Sequence, residues 1–104
     1  VSSGTNQHVT GSVPSIRTWH HLIAVFDRDN QIFVYFDGKL NTQADYAAGN
    51  TNSVSTGSLF GISNRVVPSW VFDGSIDELR VYNRVLSSDE VMQHYKQSRR
   101  NLKL

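Results

Sequence analysis

The sequence predicts an all-β fold, an antiparallel sandwich closed by one short C-terminal helix. Three observations carry that expectation. Residues 19–27 and 31–37 are apolar, β-branched and aromatic runs separated by the turn-forming Arg28-Asp29-Asn30. Further short strand-like runs recur with turn signals between them, as a sandwich requires. Helical periodicity enters only at the end, behind Ser87-Ser88-Asp89-Glu90.

Taken in order, residues 1–18 are polar and rich in Ser, Thr and Gly, with a short strand expected around 7–13. Residues 19–27 are apolar on both faces, which predicts a strand buried on both sides. Residues 28–30 close a hairpin, and 31–37 return with Ile32, Val34 and Phe36 on one side. Asp37-Gly38 signals a second turn, since glycine tolerates positive φ, and 39–44 make a third strand. Residues 45–57 form a long polar loop of a length that suits function or disorder. Residues 58–63 read as a strand, and 64–70 as a second loop holding Pro68. Residues 74–82 read as the final strand. Its apolar Ile76, Leu79 and Val81 do not share one parity, which predicts a bulge at Asp77–Glu78. Ser87 and Glu90 then have the spacing of a capping box, each bonding to the other's amide. The helix that follows places Val91, Met92 and Tyr95 on one face, with Lys96, Arg99 and Arg100 near its C-terminus, where the dipole favours cations.

One hundred and four residues make a single domain over residues 1–104 with a modest core. The hydrophobic share of 38% is low, but seven of the aromatic residues lie between Trp19 and Phe60 and supply large pieces to bury. A net charge of +1 with the signs interspersed gives no footprint for nucleic acid, and no apolar stretch approaches a membrane span. The tail carrying Lys96, Arg99, Arg100 and Lys103 reads as a solvated terminus. Without cysteine there is neither a disulfide frame nor a thiolate metal site. The chain opens on Val1, which predicts processing or excision from a longer polypeptide.

Two segments carry a family resemblance. The first is Trp19-His20-His21-Leu22-Ile23-Ala24-Val25-Phe26-Asp27 followed by Ile32-Phe33-Val34-Tyr35-Phe36-Asp37-Gly38-Lys39. The second is Phe72-Asp73-Gly74-Ser75-Ile76-Asp77-Glu78-Leu79-Arg80-Val81-Tyr82-Asn83-Arg84 and the capped helix after it. Together they resemble the laminin-G-like, concanavalin A-like jelly-roll family from about Trp19 to Tyr95, with residues 1–18 as a divergent leading segment. The resemblance implies an antiparallel jelly-roll β-sandwich and an extracellular or cell-surface setting. It covers the C-terminal portion of the family fold, so the sandwich is expected to be incomplete. The missing strands then come from the leading residues, from neighbouring domains of a longer chain, or from a second copy. A lone half-sandwich would expose strand edges and an apolar face.

The resemblance also implies a structural calcium ion (Ca2+) at Asp77 in the last strand, with Asp73 assisting. Calcium takes six or more oxygens, so one carboxylate does not suffice. The alternative is a bulge carboxylate satisfied by backbone amides or a nearby arginine. Asp27-Arg28-Asp29-Asn30 opens like a calcium-binding loop, but Ile32 and Gly38 stand where such a loop needs its Gly and Glu, and a hairpin turn fits better. His20 and His21 are adjacent, face opposite sides of a strand and cannot grip one metal together; structural or surface roles are expected for both. Trp70 stands in a loop near Asn64 and Arg65. A sugar-binding rim would use ring stacking from the Trp and hydrogen bonds from the amide and guanidinium, whereas an aromatic loop anchor is the plainer alternative.

Glycoside hydrolysis on such a sandwich needs two closely placed carboxylates. This chain has two Glu, Glu78 and Glu90, and the helix cap takes Glu90. The reading that follows is a non-catalytic recognition module for a glycan or an extracellular protein. The alternatives are a structural spacer and an accessory part of a glycoside hydrolase.

Overall fold

The computed structural model describes residue 12 and residues 15–27, 30–45 and 72–102. Three antiparallel strands come first, β1 (Leu22–Phe26), β2 (Gln31–Phe36) and β3 (Lys39–Asp45), in the spatial order β1-β2-β3. One helix, α1 (Ser88–Leu102), follows.

The first hairpin closes where turn chemistry placed it. Asp27 N–H donates to the Gln31 carbonyl and Asn30 N–H to the Asp27 carbonyl, both at 3.0 Å. The register runs from Phe26 opposite Ile32 to Leu22 opposite Phe36. The second hairpin turns through Asp37 and Gly38, whose φ values of 51° and 80° are both positive. That is the type I′ geometry, whose twist matches the strands it joins. Between β2 and β3 the register shifts: Val34 faces Thr42 but Tyr35 faces Leu40, leaving Asn41 as the extra residue of a bulge.

The capping box is formed as expected. Glu90 N–H donates to Ser87 Oγ and Ser87 N–H to Glu90 Oε1, each at 3.2 Å. Arg84 grips the same carboxylate with both terminal nitrogens, Nη1 lying 2.9 Å from Oε1 and Nη2 bonding Oε2. Val91 at the inner face of the first turn is fully buried.

The core lies between one sheet face and the helix. Val25, Tyr35, Leu86 and Val91 form it, with Ile23 and Phe33 packed against them. Ile23 opposes Tyr35 and Val25 opposes Phe33, so these four share a face. Fully burying an aliphatic side chain such as Leu86 or Val91 contributes about 1.5–3 kcal/mol. The helix seats itself on the second turn. A Cβ built on Gly38 would stand 2.8 Å from Tyr95 Cδ1 and 3.0 Å from Met92 Sδ. Met92 and Tyr95 therefore share the Val91 face, as their spacing predicts.

Ile32, Val34 and Phe36 share one side of β2, as expected, and Ile32 is buried there, while the helix packs on the other side, at Phe33 and Tyr35. Two expectations need correction. β1 is not buried on both sides: Ile23 and Val25 turn inward while Leu22, Ala24 and Phe26 are exposed. Residues 74–82 carry no strand. A run of strand-like composition becomes a strand only when another edge pairs with it, and none of β1–β3 does. This segment instead lies antiparallel along α1. Arg84 meets Glu90, the Tyr82 ring lies 5.5 Å from that of His94, and Ser98 Oγ lies 3.4 Å from Glu78 Oε2. Glu90, His94 and Ser98 are spaced by four and so share a helix face. The parity break at Asp77–Glu78 exists, as a positive φ of 51° at Glu78 rather than a ladder bulge.

A second sheet is not among the described residues. The strand expected at 58–63, the loops at 46–57 and 64–70, and the strand expected at 7–13 except for residue 12 lie outside them.

Replacing Gly38 with Ala forces a Cβ into both the positive-φ turn and the Tyr95–Met92 contact. Gly38→Ala should lower unfolding stability by about 1–3 kcal/mol in urea titration at an unchanged m value. A loss within experimental error would show that the helix does not rest on this turn.

Candidate functional site

The described polar side chains converge at the second turn. Asp37 N–H donates to the His21 carbonyl at 2.9 Å, and Asp37 Oδ1 accepts the His21 N–H at 3.0 Å. The hairpin register puts these residues opposite one another, one step beyond the Leu22–Phe36 pair. The second carboxylate oxygen, Oδ2, lies 2.8 Å from Nδ1 of His20. On the far side of that ring, Nε2 stands 3.1 Å from Ser15 Oγ and 3.0 Å from the Ser15 carbonyl oxygen.

Ser15, His20 and Asp37 thus have the spacing of a serine nucleophile, its base and the carboxylate that orients the base. The Ser15 carbonyl favours a different role. A carbonyl and a carboxylate only accept, so this geometry favours a proton on each ring nitrogen. In that form His20 has no lone pair to take a proton from Ser15. The site is a clamp.

The electrostatics agree. The hydrogen bond to Asp37 raises the pKa of His20 above its ordinary value, against a smaller opposing effect of burial. Burial resists ionisation of Asp37, but the His21 amide and the His20 ring outweigh it and hold the carboxyl below its usual range. His21 goes the other way. Its ring packs 6.0 Å from that of Tyr95, and its Nδ1 is buried with no hydrogen-bond partner. Burial pushes its pKa down, and His94 adds to the effect.

Of the residues expected to bind, Trp70, Asn64 and Arg65 lie outside the described residues. Asp73 and Asp77 are both exposed. Asp77 Oδ1 accepts the Glu78 N–H at 2.8 Å, a local turn bond of the kind weighed against calcium. No group of three or more acidic or histidine side chains that could hold a metal ion assembles among the described residues. These side chains alone do not make a calcium cage, which needs six or more oxygens.

Large apolar side chains are exposed in several places. Leu22 and Phe26 on the outward face of β1 are 59% and 58% exposed, Leu40 on β3 is exposed on the Tyr35 side of the sheet, and Ile16 and Trp19 are exposed ahead of β1. Phe72, Ile76, Leu79, Val81, Tyr82 and Val85 form a second exposed series along the segment before α1.

Sequence reasoning took Asp37 as a turn residue and His20 and His21 as structural or surface groups. Their meeting was there to be read. A hairpin closing at residues 28–30 sets His21 opposite Asp37, and the neighbouring His20 ring then reaches the same carboxylate. Among the described residues, no helix is long and apolar enough to cross a membrane.

Residues 1–92 match the sequence profile of the laminin-G-like group described as the concanavalin A-like lectin/glucanases superfamily. The match takes in the leading residues as well as the two motif segments. No curated protein matches the chain. A crystal structure of an S-layer domain-containing protein from Clostridium thermocellum, residues 221–444, superposes with a TM-score of 0.62 at 19% identity. The likeness covers 83% of this chain and 43% of that one, and at this identity it bears on the fold alone.

His21 should titrate below the ordinary histidine value near 6.5 when its ring resonances are followed by NMR against pH. Its neutral form is the one the folded state accommodates. The stability it contributes is present above pH 6.5 and lost as pH falls through its lowered value. A midpoint at or above 6.5 would show that the ring is not buried against Tyr95.

Proposed function

The chain belongs to the concanavalin A-like lectin/glucanase superfamily, and on that premise we propose that it is a non-catalytic recognition module for a glycan or another extracellular protein, carried by a larger secreted or cell-surface protein. Family membership is the observation that carries this reading. The name of the solved relative, an S-layer domain-containing protein, supports the surface setting.

The chemistry of the chain supports a binding role over a catalytic one. Its two glutamates are Glu78 and Glu90. Glu90 is held by Arg84 and by the Ser87 amide, which lower its pKa to about 2 and commit it to the helix cap. A glycosidase acid needs the opposite, a raised pKa and a second carboxylate within several ångströms. The carboxylate and carbonyl around His20 favour its protonated form, which is no base for Ser15.

In this reading the ligand meets a loop rim built by Trp70, Asn64 and Arg65. The indole stacks on the apolar face of a sugar ring while amide and guanidinium bond its hydroxyls. Asp77 and Asp73 give carboxylate oxygens to a structural calcium ion, with the remaining oxygens drawn from outside the described residues. Their place in the family's last-strand motif supports that part, and nothing else among the described residues does.

The exposed apolar surface favours a second reading, an interaction domain. Leu22 and Phe26 on the sheet, and the series from Phe72 to Val85, suit contact with neighbouring domains of a longer chain or with a second copy that completes the sandwich.

A glycan array probed with the whole chain tests the first reading. Trp70→Ala should weaken any binding found by about tenfold, equivalent to about 1.4 kcal/mol, with an unchanged melting temperature. Equal binding by the variant would remove Trp70 from the rim, and a blank array would leave protein recognition as the reading. Melting curves with calcium and with EDTA address the ion separately. Calcium should raise the melting temperature and Asp77→Asn should abolish the rise, whereas coincident curves would exclude the ion.

A further inference from the structure

We propose that the His20 ring is a pH-operated clasp that fastens residues 15–20, the segment leading into β1, onto the Asp37–Gly38 turn. The clasp is independent of any ligand at the loop rim.

The ring closes a short loop on itself. Its Nε2 holds the carbonyl and hydroxyl of Ser15, five residues back, and its Nδ1 holds Asp37 across the hairpin. Inside that loop Arg17 sits at φ 62°, a left-handed conformation that is uncommon and costly for a residue with a Cβ. Such a conformation persists only where its surroundings hold it. A second tie lies farther up the leading segment, where Ser12 N–H donates to Oδ1 of Asn41, the extra residue of the β3 bulge.

Both ring nitrogens face oxygen acceptors, so the clasp needs both protons. A neutral imidazole keeps one. If it stays on Nδ1, the bare Nε2 lone pair faces the Ser15 carbonyl at 3.0 Å. If it stays on Nε2, a lone pair faces the Asp37 carboxylate at 2.8 Å. Either tautomer replaces an attraction with a repulsion. The Ser15 hydroxyl can donate to a bare Nε2, but that does not relieve the carbonyl. Losing the proton therefore weakens one of the two ties.

The groups acting on His20 are Asp37 from the turn and Ser15 from its own segment. The charged and titratable groups nearby act on His21 instead: His94 of α1, and Glu78 and Arg80 of the segment before it, with the Tyr95 ring of α1 packed on its face. Asp37 is ionised throughout the histidine range, so His20 is the titrating partner. Its contribution is complete below the ordinary histidine value and is lost as pH rises through the raised folded value.

Trypsin cleavage after Arg17 in the full chain reads the clasp. The rate, followed by mass spectrometry at about pH 5.5 and about pH 8.5, is divided by that of a free peptide of the same residues at the same pH. The normalised rate should rise roughly two- to fivefold at the higher pH, the range of a partly exposed ion pair. His20→Gln should give one rate at both pH values. Asp37→Asn keeps an acceptor for the His21 amide and suits a positive-φ turn. It should already show the fast rate at about pH 5.5, with the His20 ring titrating lower than in the unaltered protein. A pH-independent rate in the unaltered protein would overturn the clasp. So would an unchanged His20 titration in Asp37→Asn, which decides the matter even if His20→Gln does not fold.

Discussion

The Asp37–Gly38 turn is the constraint on which the rest of the described structure depends. Two consecutive positive φ values give the twist that lets β2 and β3 pair without splaying. The missing Cβ at Gly38 lets Met92 and Tyr95 come down onto the turn, which sets the height of α1 above the sheet. The amide and carboxylate of Asp37 hold the His21 backbone and the His20 ring, which fixes the entry to β1. One dipeptide thus positions a sheet edge, a helix seat and the leading segment. Few other pairs could serve, since the first position needs a residue that tolerates the left-handed region and carries a carboxylate, and the second needs no side chain at all.

Adjacent histidines behave oppositely because they point to opposite sides of one strand end. His20 faces a carboxylate and solvent, and holds its proton more tightly than an ordinary histidine. His21 faces the Tyr95 ring and is driven neutral by burial. The two contributions change on opposite sides of the ordinary histidine value: that of His21 is lost as pH falls below it, and that of His20 as pH rises above it. The helix cap stands apart from this balance. Glu90 contributes above the ordinary glutamate range and loses its contribution only as pH falls through about 2, so α1 stays capped while the histidines titrate.

Several large apolar side chains of the described residues are exposed. β1 alternates cleanly, Ile23 and Val25 to the helix, Leu22 and Phe26 to the outside. On β1 these outward positions are apolar, and Ile32, opposite Phe26 on the same side of the sheet, is buried. The chain also spans 43% of the solved chain whose fold it shares.

The sequence by itself determined the hairpins, the Asp37-Gly38 turn, the capping box and the helix face of Val91, Met92 and Tyr95. Each of these is decided within about four residues by dihedral preference or by a side chain reaching a nearby amide, so the information sits in the local string. Tertiary structure decided the rest. Strand β2 is apolar on both parities, and the arrival of α1 set Phe33 and Tyr35 against the helix while Ile32 is buried on the other side. Residues 74–82 have the composition of a strand but are ordered by side-chain contacts along α1, because a ladder needs a partner edge that no local pattern can supply. The clamp was half legible, its register implied by the hairpin length, its preference for protonated His20 set only by the Ser15 carbonyl folding back onto the ring. Asn64, Arg65 and Trp70 carry binding chemistry in the sequence but lie outside the described residues. Side chains distant in sequence become a site only when the fold sets them within hydrogen-bonding distance, and composition carries no record of that distance.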